Sequence, residues 1–343
     1  MQCKRDSGET KVKPLAEQMV LDLSTAAAKW DADATKRTLD ELFISARRYR
    51  TSGSYLDLMQ FVRSFHYYSP YNAMLVHIQM PGEKYVATAS RWRDEYGRCL
   101  KPGAKPLVIL RPMGPVMFVF DVSDTEEETS FSQRALFGEN RSSFKVSKGK
   151  KKRLPPEVEN PFAVRRGQIG GELDRIFENA KRDGIRITWH KEGSQAAGSI
   201  HRVDGTNLKP LMFTVGKDKH GAFIQVAVKV RYDMLIRDEL ESPAQYATAT
   251  HELAHLYCGH IGTPNAKWWP DRRGLSLETQ EFEAESVSYL LCGRIGIESP
   301  ADEYLSGYFK DNQKTPDISI ECIMKAAGLI EQMGKSRMMQ RKQ

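Results

Sequence analysis

The segment His251-Glu252-Leu253-Ala254-His255 sets two imidazoles four residues apart around a carboxylate. On a helix, positions four apart lie on one face, so both rings can reach a single ion, and this pairing suits Zn2+. Glu252 stands next to His251, near enough to hydrogen-bond a metal-bound water without itself being a ligand. That set of groups is what hydrolysis needs: zinc acidifies a water, and the carboxylate takes its proton as the water attacks a carbonyl. At this chain's own His and Glu frequencies the pattern would arise by chance in about one chain in a hundred of this length, which favours a functional origin.

A catalytic zinc needs a third protein ligand and an open fourth position. The metzincin extension does not supply it, because Cys258 stands where its glycine would be and Ile261 where its last histidine would be. Further on, Ser276 is placed to cap a helix over 277–292 that carries Glu278, Glu281, Glu283 and Glu285. Glu281 and Glu285 share a face, Glu278 lies one turn earlier, and Glu283 points away. This spacing resembles the thermolysin-like gluzincins, where the first carboxylate binds zinc and the second orients a histidine ligand. The resemblance implies Glu281 as third ligand and Glu285 in support of a histidine, with Glu278 as the rival ligand. His260 and Tyr289 could stabilise a tetrahedral oxyanion, or each could be a satisfied structural residue, the commoner role of a lone His or Tyr.

These groups need helices to hold them. Ser242-Pro243 reads as an N-cap followed by a first-turn proline, and Gln245 completes a capping box, so the helix bearing the histidines should start there. Ahead of it, 185–189, 211–215 and 223–230 are β-prone. The alternation of 223–230, together with its place before the metal helix, makes it the candidate edge strand for an extended peptide. From residue 242 onward the pattern is helical. Near the N-terminus, apolar residues recur at helical spacing from Pro14 to about Met80, as in Leu15, Met19, Leu23 and Leu39, Leu42, Phe43. Segments 106–112 and 116–122 read as two strands joined by a tight turn at Met113-Gly114-Pro115. An acidic run from Asp124 to Glu128 and a basic one ending in Lys150-Lys151-Lys152-Arg153-Leu154-Pro155-Pro156 mark a linker. The expected fold class is therefore α+β: N-terminal helices with a small antiparallel sheet over 1–145, a linker over 146–168, and a zincin-like domain over 169–343.

The 343 residues carry a net charge of +7. Through residue 153 there are 26 Lys and Arg against 18 Asp and Glu, and beyond it 25 against 26, so the basic excess is N-terminal. A basic region of this kind can attract a polyanion, nucleic acid being the commonest. Five cysteines without a CxxC pair suit reduced thiols and a cytoplasmic setting. The polar first residues have no signal-peptide core, and no stretch has the roughly 18 apolar residues of a membrane span.

HELAH followed by Glu281-Phe282-Glu283-Ala284-Glu285 resembles the ImmA/IrrE class of zinc peptidases. Tyr68-Ser69-Pro70-Tyr71-Asn72, Trp92, Gly97-Arg98, Lys101-Pro102-Gly103-Ala104 and the strand Phe118-Val119-Phe120-Asp121-Val122 add a second likeness. Together they resemble ArdC-type antirestriction proteins, in which a single-stranded-DNA-binding domain precedes a metallopeptidase domain. The resemblance implies binding of single-stranded DNA, and the residues permit it. Arg91, Arg93, Arg98, Lys101, Lys105 and Arg111 lie close to Trp92, Tyr85 and Tyr96, so phosphate-pairing charges are interleaved with rings on which bases could stack. The alternative is that Trp92 and Tyr96 are core and the arginines a solvated rim. The resemblance also implies a DNA-associated zinc endopeptidase acting on a protein or peptide. The second reading is a DNA-binding antirestriction protein whose zinc is mainly structural, and Glu252 favours the first, because a structural zinc needs no general base.

Overall fold

The computed structural model describes residues 49, 51–82, 85–111, 114–127, 154, 169–191, 197–203, 208–311 and 314–341. The helical pattern before residue 49 and nearly all of the expected linker lie outside them. The chain forms two compact units, one made of Met1–Phe43 with Gln79–Val158 and the other of Ile44–Ile78 with Glu159–Gln343. Each mixes helix and sheet.

In the first unit, β1 (Val86–Ala87) and β3 (Leu107–Arg111) both pair antiparallel with β4 (Gly114–Asp121), giving the order β1-β4-β3. Arg111 pairs with Gly114, the tight connection expected between the two strands. Strands β2 (Arg98–Leu100) and β5 (Thr125–Glu127) form a separate antiparallel pair. Between β1 and β2 the chain makes a short helical turn and a π-helical turn, Trp92–Tyr96, ended by Gly97 at φ +62°. That turn drives Trp92 into the core, where its ring packs edge-on against Tyr85 and its indole N–H donates to the Phe120 carbonyl at 2.8 Å.

The second unit is built around helix α4 (Ser242–Tyr257), which carries both histidines. A three-stranded sheet of order β6-β10-β7 lies on one side of it: β6 (Ile185–His190), β7 (Gly198–Arg202) and β10 (Tyr232–Arg237). The β6 strand runs parallel to β10, and β7 antiparallel. Helix α5 (Leu277–Ile295) packs against α4, with Ala249, Ala254 and Ala284 fully buried. Small residues there let the two helices approach closely. Helices α1 (Ser52–Ser64), α6 (Pro300–Asp311) and α7 (Ile320–Lys335) pack on α5, and α3 (Glu172–Ala180) on α7. A hairpin, β8 (Leu211–Lys217) with β9 (Phe223–Val228), forms its own two-stranded sheet.

Two expectations change. Residues of α1 and α2 (Pro70–Gln79), expected with the N-terminal sheet, fall almost wholly in the second unit. The Tyr55 hydroxyl donates to Ser286 Oγ at 2.6 Å, and buried Arg294 of α5 donates to the Val62, Phe65 and Tyr68 carbonyls at the end of α1 and beyond. The second change concerns the cap of α4. Glu241, not Ser242, is its N-cap residue, and the Gln245 amide donates to the Leu240 carbonyl, so no capping box forms. Ser276 caps α5 as expected, accepting from the Thr279 N–H, and α5 runs on to Ile295, where Gly296 at φ +82° ends it.

The parallel pair β6–β10 is pinned by a polar contact on one face. Arg186 donates through two nitrogens to the Asp233 carboxylate and Thr188 Oγ1 donates at 2.7 Å. Burial alone would raise the Asp233 carboxyl, but these donors outweigh it and hold it below the ordinary value. A carboxylate so depressed stabilises the fold above about pH 4, and the contribution is lost as pH falls through the depressed value. Asp233→Ala is expected to lower stability by about 1–2 kcal/mol near pH 7, discounted for the exposure of Arg186, with the deficit vanishing in acid. Urea melts of both proteins at several pH values test this, and a deficit unchanged in strong acid would refute it.

Candidate metal centre

His251 and His255 lie one turn apart on α4 and direct Nε2 atoms toward one point, 3.1 Å from each other. Glu281 of α5 faces the same point, its two oxygens 3.5 Å from the two Nε2 atoms. The three side chains offer ligand atoms within 4.8 Å of one another, a set that fits a small divalent cation. Glu285, one turn on, lies 3.5 Å from His251 Nδ1, on the side of the ring away from that point. The rival carboxylate, Glu278, instead accepts from the Tyr308 hydroxyl at 2.8 Å.

Glu252 is buried between α4 and the edge strand β7. The approach is close because position 198 has no side chain: a Cβ there would lie 2.5 Å from Thr248 Cγ2, 2.8 Å from the Leu235 carbonyl and 3.5 Å from Glu252 Cγ. The backbone of Ile200 on β7 opposes the rise that burial gives the Glu252 carboxyl. Burial pushes the Glu252 carboxyl up to about 7, with Glu281 and Glu285 adding to the rise and His251 opposing it. Burial would lower His251, but hydrogen bonds to Glu281 and Glu285 overcome it and push it up to about 10. Burial and the charge of His251 hold His255 below the ordinary value, while the hydrogen bond to His251 holds Glu281 low. Three carboxylates thus converge on two imidazoles, an arrangement short of positive charge.

No family model matches the chain. An uncharacterized protein of Bacillus anthracis, pXO2-81, is 22% identical over 294 residues, which cover 82% of this chain and 47% of that protein. The chain thus spans about half the length of the curated relative it matches. Among solved structures, the metal-free antirestriction protein ArdC of plasmid R388 overlaps 78% of this chain and 83% of its own at 15% identity and a TM-score of 0.29. The Mn(II)-bound form of that protein gives 14% identity and a TM-score of 0.30 over the same shares. Overlap this low carries no weight for the site residues, whose reading rests on the geometry above.

Several expected roles are reassigned. His260 and Tyr289 both turn away from the site. Tyr289 is buried with the Arg63 guanidinium 4.5 Å from its ring centre, and His260 is buried behind His255. Half-buried Tyr304 of α6, which sequence spacing does not pick out, lies in the field of Glu285, Glu281 and Glu278, and burial together with those carboxylates raises its phenol. Strand β9, the expected peptide edge, belongs to the separate hairpin, whereas β7 is the strand against α4. Its sequence, Gly198-Ser-Ile-His-Arg202, lacks the alternation that marks a strand.

The expected DNA-binding cluster also divides. Trp92, Tyr85 and Tyr96 are core residues, packed on one another and closed to a stacking base, with Tyr85 and Tyr96 hydroxyls 3.0 Å apart. Of the basic residues, Arg98 is spent on Thr125 and Arg91 pairs with Glu95 at 3.3 Å. Arg93, Lys101, Lys105 and Arg111 are exposed, Lys101 donating to the Ser123 carbonyl and Arg93 lying 3.6 Å from Asp94. Trp92→Ala should therefore destabilise the first unit by about 3–5 kcal/mol, as a large core truncation does. A denaturant melt reads the loss; wild-type stability with weakened DNA binding would return Trp92 to a stacking role.

Proposed function

We propose that the chain is a zinc-dependent endopeptidase with a zincin-like catalytic domain, in which His251, His255 and Glu281 hold the metal and Glu252 is the general base. The observation that carries this reading is the convergence of two Nε2 atoms and the Glu281 carboxylate on one point, with a second carboxylate, Glu252, beside it and poised near neutrality. Bound zinc would acidify a water and polarise a carbonyl. Glu252 takes the water's proton and passes it to the leaving amine. Glu285 steadies the His251 ring from behind. Among the described residues β7 is an edge strand and would offer backbone groups to an extended peptide, and Tyr304, in the field of the three glutamates, is the candidate hydroxyl for the developing oxyanion. Substrate is a protein or peptide, consistent with the ArdC-type resemblance and with a role in antirestriction or mobile-element defence.

Two imidazoles and one carboxylate are a donor set that zinc takes in hydrolytic sites, which supports zinc as the ion. Purified wild type should hold about one zinc per chain, and His251→Ala or His255→Ala should empty the site. Glu281→Ala should weaken binding where Glu278→Ala does not, because Glu278 is engaged with Tyr308. Glu252→Gln should keep the metal and lose cleavage by about 10²–10⁴-fold. Elemental analysis combined with proteomic comparison of cells carrying wild type and Glu252→Gln reads both. Metal retained in the histidine variants would end the assignment, and identical proteomes would leave the second reading, a DNA-binding protein with a structural zinc.

For the DNA association, exposed Arg93, Lys101, Lys105 and Arg111 support contacts to phosphate, not base stacking. Binding to labelled oligonucleotides should therefore fall steeply with salt, with a slope that shrinks by about 1 for each of these side chains removed. Titrations of the full chain at several salt concentrations test this, and a salt-independent affinity would exclude it.

A further inference from the structure

We propose that His260, Glu283 and Arg272 form a positioning relay that fixes the tautomer of His255 for a metal ion. The inference rests on reading His251, His255 and Glu281 as the metal-holding set. It adds residues behind that set which have no part in the hydrolytic step.

The contacts run inward from His255 without a gap. His255 Nδ1 and His260 Nδ1 are 3.0 Å apart, and His260 Nε2 is 2.9 Å from Glu283 Oε2. Arg272 donates to Oε2 at 2.6 Å and to Oε1 at 2.7 Å, and the Ser319 N–H donates to Oε1 at 2.7 Å. The side chains of His260 and Glu283 are 0% exposed, so no water competes for these atoms. Burial would raise the Glu283 carboxyl, but the hydrogen bonds from His260, Arg272 and Ser319 hold it below its ordinary value.

Donor and acceptor roles then follow in order. A carboxylate that receives two guanidinium hydrogens and a backbone N–H is an acceptor, so His260 Nε2 donates to it. Arg272 already answers the Glu283 charge, and a second hydrogen on His260 would set two positive groups against one buried carboxylate. His260 Nδ1 therefore accepts, and His255 Nδ1 donates. That leaves His255 Nε2, the atom facing His251 and Glu281, with a bare lone pair, which is the form that binds a metal. The opposite polarity would put a hydrogen on the metal-facing nitrogen.

The backbone is built to deliver His260 to this place. Its N–H donates to the His255 carbonyl at 2.9 Å, which requires the chain to reverse just after α4. Gly259 makes the reversal at φ +87°, and a Cβ there would lie 2.2 Å from the Pro270 carbonyl oxygen. The Arg272 N–H donates to the Gly259 carbonyl at 2.8 Å, so one turn places both His260 and Arg272. Cys258, His260 and Glu283 are also close enough to be taken for a buried metal set. A cation there would have to displace the bidentate Arg272 guanidinium and sever His255 from its partner.

The test uses the full chain with His260→Leu, His260→Asn, Glu283→Gln and Cys258→Ala. Zinc affinity is read by competition with a chromophoric chelator, folding by thermal melts of the metal-free proteins, and the His255 tautomer by nitrogen-15 NMR of the imidazoles. Asn places a carbonyl oxygen near the Nδ1 position and can accept from His255, whereas Leu cannot. His260→Leu should bind zinc about 10–100-fold more weakly and show mixed His255 tautomers, His260→Asn should stay within about threefold of wild type, and Glu283→Gln should fall between. If His260→Leu does not fold, the comparison of His260→Asn with Glu283→Gln carries the same test. Equal affinity in wild type, His260→Leu and Glu283→Gln would overturn the relay and leave the metal site standing, and so would an equal loss in Asn and Leu. Two zinc ions in wild type with one lost in Cys258→Ala would replace the relay with a second site. Wild type that binds no zinc would instead remove the reading on which the relay depends.

Discussion

The second unit is organised by one electrostatic demand, that three carboxylates and two imidazoles share a half-buried pocket. Glu252, Glu281 and Glu285 lie around His251 and together push its ring up against the lowering effect of burial. Like charges held this close repel unless a cation stands among them. The surrounding architecture resists the repulsion. Helices α4 and α5 close on each other through alanines, β7 presses on α4 through Gly198, and Arg294 ties α5 to the end of α1. Such a pocket, short of positive charge and closed in by packed elements, is suited to binding a cation.

The two faces of α5 show how one helix serves the site twice. Glu281 and Glu283 are two residues apart, so they cannot share a face. Glu281 meets the two Nε2 atoms of His251 and His255, while Glu283 turns behind α4 to His260 and Arg272. Thr250 and Ser288 fill the interface between α4 and α5 with hydroxyls that bond within it, their atoms 3.4 Å apart. Front and back of the site are thus set by a single rotation of α5 about its axis. A change in that rotation would disturb the ligand and its support together.

What the sequence made legible follows from period. The i, i+4 spacing of the histidines needs only a helix to become a site, and the Ser276 cap fixes the face of α5 that Glu281 occupies. Partners that depend on a chain reversal carry no such period. Nothing in the spacing of His260 and Glu283 shows that Gly259 folds one onto the other, so His260 reads equally as an oxyanion group. Strand β7 is polar because it lies at an edge, and its one informative residue, Gly198, matters through contact with another element. Trp92 and Tyr96 illustrate the reverse limit. Aromatic residues among arginines have the same spacing whether they face a base or the core, and only the π-helical turn decides.

Glu252 connects this frame to the chemistry. In the pocket without a cation, burial and the two neighbouring glutamates push its carboxyl up to about 7, where near neutral pH it is only partly ionised. A dication held by His251, His255 and Glu281 acts in the opposite sense, because its field and its neutralisation of Glu281 both favour the charged carboxylate. On the proposed reading, the ion that would make a water acidic would also hold Glu252 in the form that accepts a proton. Strand β7 supplies the remaining part: its Ile200 backbone favours the charged carboxylate, and among the described residues β7 is an edge strand. On the same proposed reading, a peptide added to that edge would lie beside Glu252, the base for its hydrolysis.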